Sequence, residues 1–96
     1  MKLQSKATEI TITMSAADFE MMSNTSMEFK DHWIDQIKDG RFEGVDSIEF
    51  DHIYWFDSRM HVLMAEGYLK AIGADYQVAY DCWTEQEIIL INYEVA

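Results

Sequence analysis

The chain has 96 residues and a formal charge of −11, set by 18 acidic and only 7 basic side chains, while 49% of its residues are hydrophobic. A chain of this size builds one domain around one modest core, and its apolar content excludes a disordered acidic tail. The charge repels phosphate backbones and anionic lipid, which excludes direct nucleic-acid binding and favours a basic protein as partner.

Residues 1 to 7 are polar and read as a flexible N-terminus, leaving 8 to 96 as a single domain. Ile10, Ile12 and Met14 alternate with Glu9, Thr11 and Thr13, which predicts a first strand with one buried face. Ser15 stands three residues before Asp18 in a capping-box spacing, so a helix is expected to start at Ala16. Phe19, Met22, Ser26, Phe29, Trp33 and Ile37 then keep one apolar phase up to Gly40, the expected C′ residue. Thr25 and Glu28 within this stretch form a second capping-box spacing that would split the helix. The unbroken phase favours one long helix.

Arg41 to Asp46, with Gly40 and Gly44, reads as a loop leading into Ser47 to Phe56, a strand with Ile48, Phe50, His52, Tyr54 and Phe56 on one face. Glu49, Asp51, Ile53 and Trp55 fall on the other. The stretch from Asp57 to Gly73 is the most apolar helix of the chain. Its charges Arg59, Glu66 and Lys70 share one narrow arc, and it is expected to span about Ser58 to Ile72 as the core helix. Gly67 in its middle costs about 1 kcal/mol against Ala and suits a close approach of another backbone. Tyr76 to Tyr80 predicts a short strand, Asp81 to Gln86 a turn, and Glu87 to Val95 a last strand apolar on both faces at its centre.

The predicted order is β-α-β-α-β-β, an α+β domain with two helices on one face of a four-stranded mixed sheet. Such packing leaves the opposite face bare. Ile53 and Trp55 lie there and predict a homodimer or second interface.

Chemistry-bearing residues are sparse. Cys82 has no disulfide partner within the chain, no signal-like run is present at the N-terminus, and no stretch reaches the ~20 apolar residues needed to cross a bilayer. A cytoplasmic protein without membrane contact is expected. His52, Asp57 and His61 are the only grouping that invites a metal, and their spacing matches no zinc or calcium signature, so no metal or cofactor is expected. His32 is expected on the outer side of the first helix, near Glu28 and Asp35. Cys82 sits among Asp81, Glu85 and Glu87, whose charge suppresses a thiolate.

The acids offer more. Glu28, Asp31, Asp35 and Asp39 recur at helical spacing on one face, opposite Phe29 and Trp33, and the run continues through Glu43, Asp46, Glu49 and Asp51. Like charges at this spacing destabilise a helix by about 0.2–0.5 kcal/mol per pair, and Asp39 opposes the macrodipole at the C-terminal end. A solvated face is the plain reading of such a row. The sharper reading is a ladder of carboxylates, rising ~6 Å every four residues like a phosphate backbone, offered to a basic surface.

In general character the chain is similar to the small acidic inhibitors that phages use against host nucleic-acid enzymes. The expected function is that of a non-enzymatic binding module, an inhibitor or nucleic-acid mimic that docks on the basic surface of a nucleic-acid-binding protein. Two alternatives stand beside it: a structural or regulatory homodimer built through the open sheet face, and a small enzyme using His52, His61 and nearby carboxylates.

Overall fold

The computed structural model describes residues 14–26, 29–45 and 49–92. Within them the chain runs α1 (Ala16–Met22), β1 (Ser23–Ser26), α2 (Phe29–Lys38), β2 (Phe42–Glu43), β3 (His52–Phe56), α3 (Arg59–Ile72), β4 (Tyr76–Asp81) and β5 (Gln86–Ile91). The strands form one sheet in the order β1-β3-β5-β4-β2, with every neighbouring pair antiparallel. The class is α+β, as the sequence predicts. The expected strand over Ile10 and Ile12 lies outside the described residues, as do Tyr93 and the end of the predicted last strand.

Two features of the expected sheet are corrected. It holds five strands among the described residues, and it is antiparallel rather than mixed. β3 and β4 do run parallel, as a crossover through α3 requires, since each is antiparallel to β5. β5 inserts between them, so the parallel pair never become neighbours.

The expected long helix is also corrected. Ser15 caps α1 where predicted, its side chain accepting from the Asp18 N–H at 3.2 Å, but the helix ends at Met22. Ser, Asn and Thr side chains compete for backbone hydrogen bonds and weaken helices. Here the Ser23 hydroxyl donates to the Phe19 carbonyl at 2.7 Å, and Ser23–Ser26 pairs with β3 as a short polar strand, at the edge of the sheet among the described residues. The apolar phase conceals the break because the residues before and after it serve opposite sides of the sheet.

That split sets the architecture. Phe19 of α1 and Val62, Ala65 and Leu69 of α3 pack with Tyr54, Phe56, Ile89 and Ile91 on one face. Trp33 of α2 packs with Phe42, Phe50, Ile53, Ala79, Ile88 and Leu90 on the other, joined by Ile37 and Trp55. The face expected to be bare is therefore covered by the chain's own second helix. Ile53 is fully buried and Trp55 half-buried within this cluster, so the two do not form the open apolar face expected for a dimer or second interface. Phe50 changes sides as well, because the regular strand starts only at His52 and the alternation does not extend back through Asp51.

The core helix matches its prediction most closely. Ser58 accepts from the His61 N–H at 3.2 Å, and Gly73 closes the C-terminus in the left-handed conformation, φ 74°, where glycine carries no steric penalty. Val62, Ala65 and Leu69 face the sheet, and burying each of the larger two contributes roughly 1.5–3 kcal/mol. Among the described residues no helix is long and apolar enough to cross a membrane.

Candidate functional site

The structure divides the predicted acidic run. Asp35 lies on α2 and Asp39 one turn later, just past its end, both exposed, with the Asp39 N–H donating to the Asp35 carbonyl at 3.0 Å. Glu28 and Asp46 lie outside the described residues, and of Asp31 only its place in α2 is described. Glu43 turns away. In β2, Phe42 points into the core under α2, so the exposed Glu43 belongs to the opposite face, where it is paired with Tyr80 of β4. Glu49 is exposed and Asp51 half-buried, and the Asp51 N–H donates to the Ile91 carbonyl. This places Asp51 at the end of the sheet away from Gln86, ~17 Å along β5. One continuous ladder from Glu28 to Asp51 is thus corrected: what the described residues retain on one surface is the α2 pair.

The end of α2 holds what the sequence did not reveal. Gly40, φ 83°, donates its N–H to Ile37, and Arg41 donates its own to Gln36, closing the helix as a Schellman turn. Arg41 then folds back beneath the helix and is 9% exposed. Its Nε and Nη2 donate to Asp81 at 2.8 and 2.6 Å, and its Nη1 donates to Gln36 Oε1 at 2.5 Å. The rings of Trp33, Phe42, Trp55 and Trp83 surround the guanidinium with centroids 4.9–5.9 Å away. Each such contact contributes about 0.5–2 kcal/mol, more as water is excluded.

Asp81 is fully buried, and each of its oxygens is met by donors from several directions. Oδ1 accepts from Arg41 Nε, from the Trp83 N–H at 3.0 Å and, longer, from the Thr84 N–H at 3.4 Å. Oδ2 accepts from Arg41 Nη2, from Trp55 Nε1 at 2.7 Å and from the Thr84 hydroxyl at 2.8 Å. Burial alone would push this carboxyl up. The hydrogen bonds from Arg41, Trp55, Thr84 and the Trp83 backbone outweigh it and hold Asp81 well below the usual carboxylate range. One side chain thereby ties α2, β3, β4 and the turn after β4 into one piece.

That turn leaves Trp83 in an unusual position. One side of its indole lies against the Arg41 guanidinium at 5.0 Å, yet the residue is 59% exposed. Cys82 beside it is exposed, and its N–H donates to the Arg41 carbonyl at 2.8 Å. No sequence signal identifies this cluster, since Arg41 and Asp81 lie forty residues apart with no periodic relation. The only hint is an arginine next to Phe42 in a chain with few basic residues.

At the other side of the hairpin an open pocket of about 340 Å³ lies between the start of α3 and the β4–β5 turn. Asp57, Arg59, Tyr80, Glu85 and Glu87 line it, and it is bridged by an Arg59–Glu87 ion pair at 2.7 Å and a Gln86–Asp57 hydrogen bond at 2.7 Å. Partial burial first, then the charges of Glu85, Cys82, Glu43 and Asp81, raise the Tyr80 phenol. Neither predicted histidine lines this pocket. His52 pairs with Ile91 at one end of β3 and His61 lies in α3, which begins beyond Phe56 at the other end, ~13 Å along the strand. The Nδ1 atoms of both are buried without a hydrogen-bond partner among the described residues. His52, Asp57 and His61 therefore do not converge, and no group of three metal-ligating side chains occurs among the described residues.

No protein-family model, curated protein or solved structure matches the chain.

Proposed function

We propose that the protein is a non-enzymatic binding module that docks on a basic, nucleic-acid-binding surface of a partner protein, with the outer side of α2 as its contact face. The observation that supports this most is the charge balance of that face. Asp35 and Asp39 are exposed and form no ion pair among the described residues, while the nearest arginine, Arg41, is buried and neutralised by Asp81. Lys38 is the one exposed cation of the described side chains of α2. A negative helix surface backed by a rigid sheet attracts a lysine- and arginine-rich surface and speeds encounter with it.

The experiment is capture of partners from lysate at low and high salt, followed by titration of the captured partner with wild type and with Asp35→Asn, Asp39→Asn. The double variant is expected to fold with stability equal to wild type or higher by about 0.5 kcal/mol, because one repulsive pair is removed. Its affinity is expected to fall at low salt, with a flatter salt dependence. Equal affinity and equal salt slope would assign the α2 acids to solvation alone.

A further inference from the structure

We propose that Trp83 is an arginine-reading anchor: an arginine side chain on a basic segment of the partner stacks on the open side of the indole, with its charge met at the C-terminal end of α2. The proposal rests on the reading of α2 as the contact face and adds the residue that would give that face chemical selectivity. The starting point is the exposure of Trp83, 59%, on a ring that nevertheless rests on a buried neighbour. Its backbone N–H is held by Asp81 at 3.0 Å, and its inner side rests on the Arg41 guanidinium at 5.0 Å. A large aromatic open to water on one side and resting on a packed neighbour on the other gives up less entropy when a partner covers it than a freely rotating one.

The electrostatics around the ring select a cation. Asp39 and Gly40 immediately precede Arg41, whose carbonyl accepts the Cys82 N–H, so the C-terminal end of α2 runs beside the turn that carries Trp83. The last carbonyls of α2 contribute the negative end of the helix dipole there. Asp35, in the last turn of α2, and Asp39, just past its end, are exposed and form no ion pair among the described residues, which adds to the negative character of this end of the helix. Arg41 beneath the ring does not oppose a second cation, because Asp81 neutralises it in a bidentate pair at 2.8 and 2.6 Å. The planar guanidinium of arginine stacks on an indole better than the compact, strongly hydrated ammonium of lysine. The anchor should therefore tell arginine from lysine, which long-range attraction to a chain of charge −11 cannot do.

The test titrates the intact protein with octa-arginine and octa-lysine and compares the two affinities. Wild type is expected to prefer octa-arginine by about 3–5-fold, the factor of one exposed cation–π contact. In Trp83→Ala the preference should fall to about 1. In Asp35→Asn, Asp39→Asn both affinities should fall together with the preference kept. Because Trp83→Ala removes one wall of the Arg41 cage, a second measurement tracks the wild type's indole N–H resonances during the octa-arginine titration. The Trp83 signal should shift, while those of Trp33 and Trp55, buried or half-buried in the core, stay in place. A wild type without arginine preference, or a Trp83 signal that does not move, overturns the anchor. If the acid variants still lose affinity in that case, the acidic face stands without the anchor. If neither peptide responds to loss of the α2 acids, the reading of the acidic face falls with it.

Discussion

Beneath α1 and α3 the sheet is held by rings and aliphatic chains, with Phe19 edge-on to Tyr54 and Phe56 at centroid distances of 4.8 and 5.5 Å. Beneath α2 the same sheet meets an arginine and an aspartate inside a wall of aromatic rings. On the first face stability is spread over many weak contacts, so one lost side chain removes mainly its own share. On the second it depends, besides apolar packing, on two charges that are each costly to bury alone. Apolar burial tolerates damage in proportion to the atoms removed, whereas a buried ion pair fails all at once when one partner goes.

The largest expected effect tests that contrast directly. Asp81→Ala should lower unfolding free energy by about 3–5 kcal/mol, because it leaves Arg41 buried and unpaired. Combining it with Arg41→Met should restore part of the loss, with a coupling of about 2 kcal/mol in urea denaturation. Leu69→Ala on the other face should cost about 2–5 kcal/mol and add independently to Arg41→Met. Additive Arg41 and Asp81 variants would erase the distinction between the faces. The pair also has an acid signature. A carboxyl held below its unfolded value contributes fully above pH ~4 and loses that contribution only as pH falls toward its lower folded value.

A smaller effect belongs to the apolar face and emerges in alkali. The Tyr76 hydroxyl donates to Glu66 Oε1 at 3.0 Å, and burial, then that hydrogen bond, then the Glu66 charge push its phenol up to about 12. Since the folded value lies above the unfolded one, near ~10, the contribution of the neutral phenol is complete below that pH and declines as pH rises toward 12. Urea midpoints measured across this window should fall in wild type and fall less in Tyr76→Phe. Parallel curves would remove Tyr76 as the source.

The smallest effect is a gain. Glu85 closes the β4–β5 turn at φ 61°, a left-handed conformation that disfavours any residue with a Cβ. Glu85→Gly should raise stability by about 0.5–1 kcal/mol, read as a shift in melting temperature. No change would place the strain elsewhere.

Much of the first face is legible from spacing alone. Ser15, Ser58 and Gly73 mark helix ends through local hydrogen bonds and backbone angle, and the alternation of Tyr54 and Phe56 with Ile53 and Trp55 separates the two cores. What could not be read depends on contacts between distant segments. The strand at Ser23–Ser26 exists because β3 offers it a pairing edge, and its own polar residues carry no strand alternation. The acids were legible as a row only while one helix and one loop carried them. Folding sends Glu43 to the other face of the sheet and Asp51 to its far end. Trp83 reads as an ordinary turn residue until Arg41 lies beneath it.

The position of β5 bears on how the domain is made. It is the last described strand along the chain, yet it occupies the middle of the sheet, between β3 and β4. During synthesis, β3, α3 and β4 therefore leave the ribosome with a one-strand gap between them, and Arg41 waits for Asp81 until nearly the whole sheet has been translated. A nascent chain that stops before Gln86 lacks the strand that joins β3 to β4, so the edges of both that β5 covers in the folded domain are open to mispairing until β5 arrives.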